Sequence, residues 1–452
     1  MNSRVLFTSM RTKLSDHFNY RKLIIFTLPT IAMMIFTSLY GIVDGFFVSN
    51  FAGKIPFASV NFIMPFLMIL GAFGSMLGAG GSALVAKTLG EGDREKANSL
   101  FSLFVFLTFL SGVIIGVVAI IFIEPIAILL GSSQDMLPYC TLYGRIILVA
   151  LPFQMLQFEF QSFFVTANKP QLGFWVTVIA GISNMALDLL LVGIIPLGVT
   201  GAAIATAVSQ ILGGGLPLIY FLRKNTSLLK IVKPRFDKKA LLKACGNGSS
   251  EFLSNITMNL VGMLYNIQLI AYAGENGVAA YGVLMYVSFI FYSCFMGFSV
   301  GVAPLIGYNL GAENKKELKN LTRKSMLIVG VLSVGMCIMS ELLALPMASI
   351  FVGYDKVLLD ITHRGFMIYS LVFLFAGISI FGSSFFTGLN NGVVSAVIAV
   401  IRTLVCQSIA VIVLPLVWGI DGVWASAVVA ELVSAIITVA LIICKAKKYG
   451  YN

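Results

Sequence analysis

Residues 39–53 read Leu-Tyr-Gly-Ile-Val-Asp-Gly-Phe-Phe-Val-Ser-Asn-Phe-Ala-Gly, and residues 260–274 read Leu-Val-Gly-Met-Leu-Tyr-Asn-Ile-Gln-Leu-Ile-Ala-Tyr-Ala-Gly. Gly41 stands 221 positions before Gly262, and Ala52-Gly53 the same distance before Ala273-Gly274. Outward from this stretch the register holds: Gly80 falls on Gly301, Gly90 on Gly311, Pro125 on Pro346, Thr166 on Thr387, Gly198 on Gly419 and Gly201 on Gly422. A Gly-rich chain gives scattered matches by chance, but not one ungapped offset from Gly41 to Gly422. The chain is one helical unit duplicated. Duplicated bundles of apolar helices are the usual build of secondary transporters, with the substrate site between the repeats.

Of the 452 residues, 58% are hydrophobic and 11% are charged, where soluble domains carry about 25% charged residues. Stretches long enough to span a bilayer, roughly 20 residues each, run at about 24–50, 56–86, 100–123, 138–162, 171–194 and 199–222. The second half repeats them at about 244–272, 278–308, 325–350, 364–386, 393–416 and 419–444. The expected fold is an all-α polytopic membrane protein of twelve transmembrane helices in two six-helix lobes. Six spans return the chain to its starting side, so the lobes are parallel, related by an axis along the membrane normal.

Lys and Arg near span ends accumulate in the cytoplasm. One set of connections carries five in residues 1–22, three in 87–98, Lys169, eight in 223–243, five in 312–324 and three in 445–452. The other set holds only Lys54, Arg145, Lys356 and Arg364. Both termini are therefore expected in the cytoplasm and the chain in the plasma membrane, in keeping with a bacterial inner membrane. The expected divisions are an N-terminal segment 1–22, a first lobe 23–222, a basic linker 223–243, a second lobe 244–444 and a tail 445–452.

This bias accounts for the net charge of +11 as solvated inside loops, with no nucleic-acid partner. The first apolar run lacks a small-residue cleavage pattern and is expected to be an uncleaved span. Cys140, Cys245, Cys294, Cys337, Cys406 and Cys444 show no metal or redox spacing and are expected as free thiols. His17 and His363 lie outside the spans and are expected to be solvated. No GxxxxGK[ST] phosphate loop is present, so nothing points to ATP use.

Ionisable groups inside a span are costly, and each is a functional hypothesis by default. The first half offers Asp44 in the first helix, Asp188 in the fifth and Glu159 toward the inner end of the fourth. At about 1.5 Å rise per residue, Asp44, Asp188 and Thr206 of the sixth helix reach the same depth in the outer half. Tyr40 precedes Asp44, and Asn184 precedes Asp188, by four residues, which puts each pair on one helix face. Tyr143 of the fourth helix reaches this level too. Such an oxygen-rich pocket suits a hard cation, and two close carboxylates at low dielectric share or exchange a proton.

The second half does not repeat these acids: Tyr265 stands opposite Asp44 and Ile409 opposite Asp188. It carries Arg402 in mid-span and Glu431 in the twelfth helix, the register partner of Gln210. Arg402 is expected to meet an anionic substrate group or a structural counter-ion, and Glu159 to line a cavity or lie solvated at the inner end. Pro29, with Gly41, Gly45 and Gly53 beyond it, gives a first helix that can bend.

With these residues in view, the chain resembles the multidrug and toxic compound extrusion (MATE) family, within a superfamily that includes lipid-linked oligosaccharide flippases. The resemblance spans essentially the whole chain, including Leu39 to Phe47 and the repeated segments Gly90 to Lys96 and Gly311 to Lys316. It implies a first-lobe cation site of the DinF-like and archaeal kind at Asp44, Asn184, Asp188 and Thr206, with Pro29, Tyr40 and Tyr143 in matching places. Gln161 stands where that site often has Asn, and the tenth helix lacks the acid of NorM-like members; Glu251 opens the seventh helix.

The resemblance implies a cation-coupled antiporter that exports small organic, often cationic or amphipathic, compounds by rocking its lobes about the bilayer midplane. H+ or Na+ is the coupling ion, Na+ being held by Asp44, Asn184, Asp188 and Thr206, and no further cofactor is expected. A monomer in the lipid bilayer is expected. The nearest alternative is a flippase for a lipid-linked precursor or polysaccharide unit, whose cavity would favour several cations where this chain offers Arg402. A membrane-embedded enzyme would need clustered His, Asp or Glu at a membrane face, which two peripheral histidines do not supply, and a passive channel fits poorly with duplicated lobes and internal acids.

Overall fold

The computed structural model describes residues 12–451. Arg4 and Arg11 of the N-terminal segment, Asn452 and the side chain of Lys54 lie outside the described residues. The described chain contains helices and no strand, as lipid demands of a backbone that must close its own hydrogen bonds.

The first lobe comprises α1 Tyr20–Ala52, α2 Ile55–Gly90, α3 Arg94–Leu129, α4 Leu137–Thr166, α5 Pro170–Ile194 and α6 Gly198–Leu222. A single helical run, Lys238–Gly311, opens the second lobe, followed by α9 Lys315–Val352, α10 Lys356–Gly388, α11 Gly392–Trp418 and α12 Ile420–Tyr449. The long run is two antiparallel spans, α7 (238–273) and α8 (275–311), broken at Gly274 with φ 61° and ψ −152°. The rings of Tyr265 and Tyr281 stack with centroids 5.2 Å apart, whereas 16 residues of straight helix would separate them by about 24 Å. The expected twelve spans are present, and α7 begins within the stretch 223–243.

The repeat is written in the backbone as well as in residue types. Gly53 and Gly274 both turn the chain with positive φ, 96° and 61°, a conformation costly for residues with a β-carbon. Asp93 caps α3 and Asn314, 221 positions on, caps α9 through the same side-chain acceptance. The offset is not constant, however: the left-handed residues of the turns after α4 and α10 are Asn168 and Asn390, 222 apart, before the turns at Gly198 and Gly419 restore 221.

The lobes meet mainly toward the basic end, where the described termini and the linker lie. A β-carbon on Gly90 would overlap the Tyr308 carbonyl, and one on Gly311 the Lys87 carbonyl. Likewise Gly80 abuts the Ala244 carbonyl, and Gly248 the Met76 carbonyl. Nearer mid-span, Ser38 and Ser293 share a hydroxyl contact and Phe73 meets Phe252 edge-on.

A strap over residues 12–19 leads into the first lobe yet docks on the second. Phe18 is fully buried, and Glu317 accepts from the Phe18 amide at 2.9 Å and from Asn320 Nδ2 at 2.8 Å. His17 Nδ1 lies 2.6 Å from Glu317 Oε2, so this histidine, exposed to solvent as expected, is also tied to the opposite lobe.

A candidate cation site in the first lobe

Helix α1 presents Tyr40 and Asp44 on the face that packs against α5, and α5 returns Asn184 and Asp188 from the same level. Gly181 permits this approach: a β-carbon there would stand 2.6 Å from a Phe36 ring carbon and 2.9 Å from Tyr40 Cδ1, closer than packed carbon atoms allow. Just beyond the acids both helices loosen into π-helical turns, Val48–Ala52 and Leu189–Ile194, irregularities frequent at functional sites.

Thr206 Oγ1 donates to Asp44 Oδ1 at 3.3 Å, and the side chains of Asp188 and Asn184 come within hydrogen-bonding reach of the same carboxylate. Asp188 and Asn184 are buried whereas Asp44 keeps partial access. Neither oxygen of Asp188, nor Asn184 Oδ1, receives a donor from the described protein. Among the described residues no Lys or Arg acts on either carboxyl. Buried polar atoms in folded proteins are normally partnered, so these oxygens form a cluster of acceptors short of positive charge. Oxygens of this kind are the ligands a hard cation takes, and two close carboxyls are the groups that share a proton.

Tyr143 is buried with its hydroxyl in reach of Thr206, and Tyr40 sits beside Asp44 in reach of Gln157. Gln157 is the α4 amide that sequence reasoning missed. It lies in a recess over Gly213, where a β-carbon would stand 2.5 Å from its Cδ. Gln161, four residues on and hence on the same face, is half-buried and one turn nearer the basic end, without a described contact to the carboxyls. Pro29 lies within the continuous α1 helix.

Glu159 is fully buried rather than solvated. It lies beside Thr108 of α3 and behind Gly78 of α2, with both oxygens unpartnered. It thus faces α2 and α3, away from the cluster, although Gln157 stands only two residues before it.

In the second lobe Arg402 Nε bonds Glu431 Oε1 at 2.7 Å, with Glu431 wholly buried. The Arg402 guanidinium also sits 6.0 Å from the centre of the Tyr292 ring. With the 222 offset of the turns at Asn168 and Asn390, Arg402 stands opposite Ala180, so where the first lobe has a small side chain the second has a long cation. Tyr265, opposite Asp44, accepts from Ser426 Oγ at 2.8 Å. An internally neutralised network replaces the open acids. Glu341 of α9 is a further in-span acid, accepting from Ser370 Oγ at 3.3 Å; its place in the eighth apolar run was visible in the sequence. The six cysteines are free thiols.

Two parallel six-helix lobes with an acid cluster inside one of them define a membrane transporter. A profile of the MatE family matches residues 29–190 and, separately, 252–412, once in each repeat. The chain belongs to the MATE family, whose members are transporters. Among curated proteins it is similar to the multidrug export protein MepA of Staphylococcus haemolyticus strain JCSC1435, 29% identical over 315 residues and 69% of each chain. It is also similar to MepA of Staphylococcus saprophyticus, 26% identical over 78% of this chain and 79% of the relative. A MATE crystal structure in the straight conformation superposes over 100% of both chains with a TM-score of 0.91 at 20% identity. An outward-facing multidrug resistance MATE transporter superposes over 98% of both, also at 0.91 and 20%. The structural likenesses bear on fold.

Proposed function

We propose that this chain is a cation-coupled antiporter that exports small organic, cationic or amphipathic compounds. The observation that carries the reading is the Asp44–Asp188 pair: two carboxyls within reach of one another and, among the described residues, three buried acceptor oxygens without a donor and no basic neighbour. The names of the MepA relatives support multidrug export as the transport direction and substrate class.

In this mechanism H+ or Na+ enters the cluster at Asp44, Asn184, Asp188 and Thr206 and removes the repulsion between the acids. Tyr40, held by Gln157, keeps α1 against α5. Bending of α1 near Pro29 narrows the first-lobe cavity and releases substrate outward. The lobes then part at their basic ends, which face the cytoplasm in this reading, and a cation that lowers substrate affinity has its own affinity lowered equally by substrate. The chain acts as a plasma-membrane monomer. A lipid-precursor flippase is less favoured because Arg402, the in-span cation, is already neutralised by Glu431.

The test is efflux of a fluorescent cationic dye from proteoliposomes under a pH gradient or a sodium gradient applied separately. Acceleration by either gradient supports antiport and names the ion. A folded protein indifferent to both overturns the coupling assignment.

A further inference from the structure

A cavity lies away from the acid cluster, at the basic end, between the linker and the first turns of α3. Its volume is about 1420 Å3. The linker is fixed along α3: the Lys230 amide donates to Asn98 Oδ1 at 2.9 Å and the Val232 amide to Ser102 Oγ at 2.8 Å. In return Arg94 donates to the carbonyls of Ser227 and Leu228. Asn98 and Ser102 are buried by this contact.

The charge of the wall is unbalanced. Asp93 and Asp237 are occupied as helix caps, and Glu95 has only a 3.7 Å pairing with Arg235 in which both side chains are more than 80% exposed. Lys96, Arg223, Lys224, Lys230 and Lys233 face the same cavity with no carboxylate paired to any of them among the described residues. Two apolar side chains flank it in the open: Phe236 is 71% exposed and Leu222 60%. The anchoring residues Asn98, Ser99 and Ser102 straddle the start of the apolar part of α3, which sets the cavity at headgroup level.

We infer that this cavity binds the phosphate groups of anionic phospholipids in the adjoining leaflet, with Lys224, Lys230 and Lys233 on the phosphate and Phe236 inserted among the lipid chains. A solvated loop has no use for a projecting Phe beside a concave, unneutralised cationic wall, whereas an interface rewards both features. The inference is independent of the ion coupled to transport; that the leaflet is the cytoplasmic one follows from the proposed orientation.

The test titrates dioleoylphosphatidylglycerol and, separately, dioleoylphosphatidylcholine into the purified full chain in neutral detergent, with binding read by native mass spectrometry. The variants are K224Q/K230Q/K233Q and F236S, whose side chains make no described hydrogen bond. Each cation contributes roughly fivefold to binding of an anionic lipid surface, so the triple variant should bind phosphatidylglycerol about 100-fold more weakly. Its thermal midpoint should be unchanged, and phosphatidylcholine should bind weakly to all forms. Equal phosphatidylglycerol binding by wild type and triple variant would overturn the site. Displacement of the lipid by an equal concentration of inorganic phosphate would overturn the lipid assignment in favour of a soluble phosphate compound.

Discussion

Gly90 and Gly311, 221 positions apart, each lie against the other's helix, Gly90 on the carbonyl of Tyr308 and Gly311 on the carbonyl of Lys87. The duplication thus places its own pseudo-symmetry axis between α2 and α8 and closes the basic end with backbone against backbone. Opening that end requires these two contacts to part.

Gly311→Ala should therefore disfavour the closed form seen here. Overpacking of this kind costs typically 1–3 kcal/mol, which should lower the thermal midpoint in detergent by a few degrees and slow dye efflux. Gly330→Ala, where a β-carbon meets nothing within 4 Å, is the control. Equal behaviour of the two variants would show that the inter-lobe contact is loose.

Asp188→Asn removes one of two carboxyls that have no basic partner. At neutral pH without sodium, the variant should be at least as thermally stable as wild type, because like-charge repulsion is relieved. Ion-driven efflux should fall by tenfold or more. A marked loss of stability would mean that Asp188 has a stabilising counter-charge after all.

Gly181→Ala should push the Phe36 and Tyr40 rings, and with them α1, away from α5. Efflux should drop with both acids still in place. Gln157→Ala, which releases the Tyr40 hydroxyl, should weaken cation coupling more than Gln161→Ala; the reverse order, read from sodium or pH dependence of transport, would restore Gln161 as the relevant amide.

Arg402→Met leaves Glu431 buried without its partner and should cost about 3–5 kcal/mol of stability. The double variant R402M/E431L should recover most of that loss in thermal unfolding. Additive losses would indicate that the two side chains are held by separate partners.

Glu317→Ala deletes the acceptor of the Phe18 amide, Asn320 and His17 together. Leaving a buried donor unsatisfied costs roughly 1–3 kcal/mol. Proteolysis near residues 12–19 should accelerate, and equal resistance to cleavage would show that apolar burial of Phe18 alone holds the strap.

Helix count, repeat and the in-span acids were legible because they depend on local quantities: apolar length, charge at span ends, and the four-residue spacing of Tyr40 with Asp44 and Asn184 with Asp188. Even the turn glycines could be read, since Gly53 and Gly274 are demanded by backbone φ at their own positions. Single-residue phase was harder: the ungapped offset concealed a shift to 222 at Asn168 and Asn390, a matter of backbone conformation that residue identities do not display.

The sequence by itself determined a duplicated, membrane-spanning chain with two acids at one depth of one lobe, because hydrophobicity and helix geometry act over a few turns. Only the tertiary structure decided that Gln157 rather than Gln161 reaches Tyr40, that Arg402 is neutralised by Glu431, that Glu159 is buried, and that His17 crosses to Glu317. Glu159 is seated against Gly78 and Gln157 over Gly213, Arg402 and Glu431 come from different helices, and the strap crosses between lobes. These partners stand from 29 to 300 positions apart, and no local period records their meeting.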